Sequence, residues 1–136
     1  MHRKEYCTLI HAATVHPEDW LRFVQIDPFP RMWSRLGLED DNLRALEIGI
    51  MAAPWSYPVI PGTSGLRKLR LTTPDLGRGK SGSYRVYYVY LPEYGTVWLM
   101  AVIAKGEQAD LTKADENALA KVIDRLKQLL ERGGIR

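Results

Sequence analysis

The sequence predicts an α+β domain: an antiparallel sheet of about four strands with helices packed on one face, in the order β-α-α-β-β-β-α. Three observations predict it. Short runs rich in β-formers occur at 21–26, 66–71, 83–91 and 96–104. Helical spacing bounded by end signals occurs at roughly 30–36, at 39–53 and after Thr112. The last two strands are joined by a connection short enough only for an antiparallel hairpin.

The elements follow in order. Residues 21–26, LRFVQI, alternate weakly and form a first strand, broken by Asp27-Pro28-Phe29-Pro30. Pro30 suits the first position of a short helix, and Gly37 suits its end. Glu39, Asp40 and Asp41 favour the positive end of a second helix. Leu43, Leu46 and Ile50 share one face of it, and Pro54 stops it. Trp33 and Trp55 are expected as packing residues at the helix ends. Residues 55–65, WSYPVIPGTSG, form a loop. In the second strand Arg67, Leu69 and Leu71 point one way, and Leu66, Lys68 and Arg70 the other. A glycine-rich loop over 72–82 leads to a strand of tyrosine and valine, 83–91. After a turn at 92–95, strand 96–104 is almost continuously apolar, which places it centrally. Thr112 and Asp115 form a capping box for a last helix, whose apolar face is Leu119, Val122, Ile123, Leu126 and Leu130. Helices over one face of the sheet leave the other free for a ligand.

Composition narrows the function classes. The chain has 136 residues, 46% hydrophobic and 26% charged, which suits one globular domain. No run reaches the roughly 18 apolar residues of a membrane span, and the N-terminus lacks a clean signal-peptide pattern. A cytoplasmic protein is expected, and the single cysteine, Cys7, agrees with that. His2, His11 and His16 match no zinc spacing, so no metal is expected.

The net charge is only +3, yet Gly65 to Val89 holds six cations and a single acid, Asp75. Arg67, Lys68, Arg70, Arg78, Lys80 and Arg85 thus form a concentrated basic field on two strands, as a polyanion-binding surface requires. Gly77-Arg78-Gly79-Lys80-Ser81-Gly82 spells a nucleotide-binding fingerprint, but a strand follows where that fingerprint needs a helix. Those glycines read first as a flexible connection and second as backbone amides approaching phosphate. Ser-His-Asp chemistry finds no histidine after position 16. Lysine and arginine can nevertheless act on RNA, which carries its own nucleophile in the 2′-hydroxyl. A lysine can serve as base, and arginines can stabilise charge developing on the phosphate. The same residues serve binding without chemistry, and spacing alone favours binding.

Three segments resemble one family. Val59-Ile60-Pro61-Gly62-Thr63-Ser64-Gly65-Leu66-Arg67-Lys68-Leu69-Arg70 is similar to the segment entering the second strand of HigB-type toxins in the RelE/ParE superfamily. Gly79-Lys80-Ser81-Gly82-Ser83-Tyr84-Arg85-Val86-Tyr87-Tyr88 resembles the next strand. Ala104-Lys105-Gly106-Glu107-Gln108-Ala109-Asp110-Leu111-Thr112 resembles the turn into the last helix, often written AKxExxDLT. Residues 21–136 then form a RelE/HigB-like toxin domain, and residues 1–20 an N-terminal extension outside the resemblance.

The resemblance implies a small RelE-like fold and the toxin of a type II toxin–antitoxin pair. It implies metal-independent cleavage of messenger RNA on the ribosome, no cofactor, and a helix-turn-helix antitoxin as partner. By position it implies Lys68 and Arg85 at the scissile phosphate, with Arg67, Arg70, Lys80 and Lys105 gripping RNA; Arg78 joins that grip from the basic field, and Tyr87, on the face of Arg85 by alternation, can stack a base. The chain departs from the RelE branch in two places. Gly106 stands where that branch has an arginine, and Asp110-Leu111-Thr112 occupies the region of a tyrosine. A gyrase-poisoning relative of the ParE branch and a non-catalytic RNA-binding module are the alternatives.

Overall fold

A computed structural model describes residues 19–73 and 82–133. The elements are β1 (Arg22–Gln25), α1 (Phe29–Arg35), α2 (Asp40–Ala52), β2 (Leu66–Thr73), β3 (Gly82–Leu91), a 3-10 turn (Pro92–Tyr94), β4 (Thr96–Ala104) and α3 (Lys113–Glu131). The α+β class and the expected element order hold. His2, Cys7, His11, His16, Arg78 and Lys80 lie outside the described residues.

Local chemistry sets the helix ends. Gly37, at φ 76°, ends α1; its amide donates to the Ser34 carbonyl at 3.0 Å and that of Leu38 to Trp33 at 3.3 Å. This reciprocal pair satisfies carbonyls that the helix would otherwise leave open. At the start of α2 the Glu39 amide donates to Asn42 Oδ1 at 2.8 Å. At the start of α3 Asp115 N donates to Thr112 Oγ1 at 3.0 Å, and Thr112 N to Asp115 Oδ2 at 3.3 Å, which is the expected capping box.

The sheet order is β1-β4-β3-β2. Strands β2, β3 and β4 pair antiparallel, as short connections dictate. Strand β1 corrects the expected all-antiparallel sheet: it runs parallel to β4, from Arg22 opposite Thr96 to Gln25 opposite Leu99. Its partner is not a sequence neighbour, because α1 and α2 intervene before β2. The β3–β4 ladder slips at Tyr87: that residue faces Ala101 while Tyr88 faces Leu99, so Met100 is an extra residue.

A second correction concerns the covering helices. Phe29 and Trp33 of α1 and Leu46 and Ile50 of α2 pack with Leu69, Val86, Tyr88, Val97 and Leu99 on one face. Ile123 of α3, with Leu119, Leu126 and Leu130, packs on the opposite face against Leu66, Tyr87, Val89, Trp98 and Met100. The helices therefore cover both faces. The physical reason lies in β3 and β4, which carry apolar side chains at successive positions, so both of their faces need burial. Trp33 is buried, stacked on Phe29 with ring centroids 5.5 Å apart, as expected of a packing residue. Trp55 is not: it is 64% exposed, because it follows Pro54 in the turn beyond α2 and so leaves the helix's inward face.

The turn ahead of β2 is fastened to α3. Lys127 Nζ donates to the Ser64 carbonyl at 2.7 Å, and Ser64 Oγ to Asp124 Oδ1 at 2.5 Å. This anchors α3 over the start of β2 and leaves Lys68 part-exposed and Arg70 exposed further along the strand. Among the described residues no helix is long and apolar enough to cross a membrane.

Candidate nucleic-acid interface

Alternation and pairing together assemble the site. On β2, Lys68 and Arg70 share the face of Leu66, which is the α3 face. On β3, Arg85 and Tyr87 share that face. The register sets Lys68 opposite Tyr87 and Arg70 opposite Arg85. Two arginines directly opposed on one face repel each other. Neither has an ion-pair partner among the described residues. Arg85 is half-buried, and its Nε is a buried donor without a hydrogen-bond partner among those residues. A phosphate is the kind of anion that answers the repulsion.

The residue that sequence reasoning missed is Asp110. Its Oδ2 accepts from Lys68 Nζ at 2.9 Å. Its Oδ1 accepts from the Tyr87 hydroxyl and, at 3.1 Å, from the Leu111 amide. The Tyr87 hydrogen bond holds the Asp110 carboxyl below its usual range; burial is the next effect and opposes it, and the hydrogen bonds from Lys68 and the Leu111 amide add to the lowering. The available signal was the acid in the turn motif itself, which reads as a helix lead-in until the fold brings it to the sheet.

The remaining expected positions are distributed. Arg67 lies on the opposite face of β2, where its Nη1 donates to the carbonyls of Trp55 at 2.9 Å and Tyr57 at 2.6 Å. It ties the loop after α2 to the sheet instead of joining the cations. Lys105 is exposed just beyond β4, its amide donating to the Ser83 carbonyl at 3.0 Å. Tyr87 corrects the expectation of a base-stacking ring. It is 0% exposed, packed under α3, and only its hydroxyl reaches the site. Among the described residues no group of three or more His, Cys, Asp or Glu side chains could hold a metal ion.

Two tyrosines give the fold a dependence on alkaline pH. Burial, chiefly, pushes the phenol of Tyr87 up, with Asp110 adding to it, and burial likewise raises that of Tyr88, whose hydroxyl donates to the Pro54 carbonyl at 2.7 Å. A raised phenol favours the fold while protonated. The contribution is complete below the unfolded tyrosine value of about 10 and is lost as pH rises through the higher folded values. Urea denaturation should therefore show stability falling above about pH 10, and Tyr88→Phe should flatten that fall. At neutral pH the same variant should lose about 1 kcal/mol with its hydrogen bond.

No family model matches the chain. Among solved structures, a double arginine-to-alanine mutant of the E. coli toxin RelE in the free state is similar to it, with a TM-score of 0.46 and 15% sequence identity. The match covers 65% of this chain and 87% of that one.

Proposed function

We propose that the protein is the toxin of a type II toxin–antitoxin pair, HigB-like within the RelE/ParE superfamily, and cleaves messenger RNA on the ribosome. The reading rests on the three sequence segments together. The observation that carries it is the uncompensated pair of Arg70 and Arg85 beside Lys68. In this reading the RNA 2′-oxygen bonds to phosphorus as the 5′-oxygen leaves. The proton lost from the 2′-hydroxyl and the one gained by the leaving oxygen balance through solvent. Lys68 and Arg85 hold the non-bridging oxygens, where charge accumulates, and Arg70 and Lys105 hold flanking phosphates. Lys68 then works as a charge stabiliser, since its ammonium already donates to a carboxylate. The partner is a helix-turn-helix antitoxin, and the site of action is the cytoplasm.

The pairing of Lys68 with Asp110 also supports a second reading, an RNA-binding module that holds its ligand uncut. One experiment separates the two. Induced expression should stop translation and leave messenger RNA fragments ending in 2′,3′-cyclic phosphate. The combined Lys68→Ala and Arg85→Ala variant should do neither. Intact messenger RNA with retained, salt-sensitive RNA binding supports the second reading. DNA breaks with intact messenger RNA would support gyrase as the target, and undiminished toxicity in the double variant would remove the site assignment.

A further inference from the structure

Asp110 is held independently of the lysine it pairs with. The Tyr87 hydroxyl and the Leu111 amide both donate to Oδ1, and Gln108 Nε2 donates to the Asp110 carbonyl at 2.6 Å. The Tyr87 ring is buried between β3 and α3, so its hydroxyl has a fixed direction. The carboxylate is therefore a fixed point on the face of the sheet. Lys68 is the adjustable partner, a long flexible chain with its side chain 32% exposed. An ammonium has three donors. Asp110 occupies one and leaves the others for a phosphate beside Arg85.

We propose that Asp110 is the positioning residue of the RNA site: held by Tyr87, it fixes the Lys68 ammonium for the scissile phosphate while opposing RNA binding with its own charge. The inference deepens the ribonucleolytic reading and rests on it. A carboxylate that only stabilised the fold would affect stability and little else. One that orients a catalytic lysine separates binding from turnover. Losing it removes a negative charge from the path of a polyanion, so ground-state binding gains. Losing it also frees the ammonium to wander, so the rate falls. Tyr87 acts through Asp110 and should move both quantities in the same directions.

The test uses the full-length protein, purified ribosomes and a synthetic messenger RNA. Steady-state cleavage and thermal melts are measured for wild type, Asp110→Asn, Tyr87→Phe, Lys68→Ala and the Lys68→Ala/Asp110→Asn double variant. Asp110→Asn should lower kcat by about 10-fold to 100-fold with KM unchanged or lower. Tyr87→Phe should shift kcat in the same direction by less. The double variant should be no slower than Lys68→Ala alone, because the aspartate acts only through the lysine. Wild-type kcat in Asp110→Asn, or losses that multiply in the double variant, overturns the inference and leaves the ribonucleolytic reading standing. A rise in KM with unchanged kcat also overturns it. Wild-type protein that leaves the RNA intact overturns the ribonucleolytic reading, and this inference with it.

Discussion

On the ribonucleolytic reading, Arg85→Ala should slow RNA cleavage by about 100-fold to 1,000-fold, the loss found when a preorganised donor to a developing oxyanion is removed. Arg85 stands on β3, an inner strand of the sheet, between Arg70 on β2 and Ile103 on β4. Strand pairing on both sides fixes its backbone, so the guanidinium needs little reorganisation to receive charge. Its Nε is buried and has no hydrogen-bond partner among the described residues. Arg85→Lys should recover only part of the loss, because an ammonium keeps the charge but not the planar fork. Single-turnover cleavage under saturating ribosomes checks both variants. A loss below about threefold in Arg85→Ala would remove Arg85 from the reacting phosphate, since a donor in that place is worth far more.

Trp98→Ala should cost about 3–5 kcal/mol of folding stability, the usual consequence of truncating a large buried aromatic. Trp98 is 1% exposed in the first half of β4, opposite Val24 of β1 and Val89 of β3, and faces α3. The truncation removes contacts to two strands and a helix at once. Domains of this size are stable by only about 5–15 kcal/mol, so the variant loses a large share of the total. Trp55→Ala is the control. That residue is 64% exposed, and its hydrogen bond to Arg67 uses the backbone carbonyl, so its removal should change stability by less than about 0.5 kcal/mol. Equilibrium denaturation in urea measures both. Equal midpoints for the two variants would contradict the division of roles between these tryptophans.

Much of this architecture is legible in the sequence, and the parts that are not share a physical cause. The helix ends are local chemistry, so Gly37 and the pair Thr112–Asp115 reveal them directly. Alternation on β2 separates Arg67 from Lys68 and Arg70, and the contact of Arg67 with two loop carbonyls follows from that separation. The parallel pairing of β1 is not local, since the edge it joins depends on where two helices carry the chain. The apolar run of β4 pointed to a central strand, yet its fuller meaning is that both faces need helices. Asp110 is the most instructive case. It is 42 residues from Lys68 along the chain, and its place in the turn motif reads as a helix lead-in, with nothing local to mark it as the partner of a lysine. Tyr87 misled for the opposite reason: strand alternation gave the right face but could not tell an open part of that face from the part under α3.

Met100, the extra residue in β4, is taken up without disturbing the pairing on either side of it. The turn at 105–112 begins where β4 ends, so its place along β3 is set by which residues of the two strands pair. With the extra residue absorbed opposite Tyr87, the chain arrives with Asp110 over Lys68. Deleting Met100 would make the ladder regular and keep Ala104 opposite Tyr84, so the turn would stay in place, whereas a one-residue slip of the pairing beyond the bulge would move it by about 3.3 Å, more than the 2.9 Å separation of carboxylate and ammonium. The pairing of β4 beyond the bulge, more than its number of residues, therefore holds the acid over its lysine: one residue is absorbed at Tyr87, whereas a slip of the pairing would part the two.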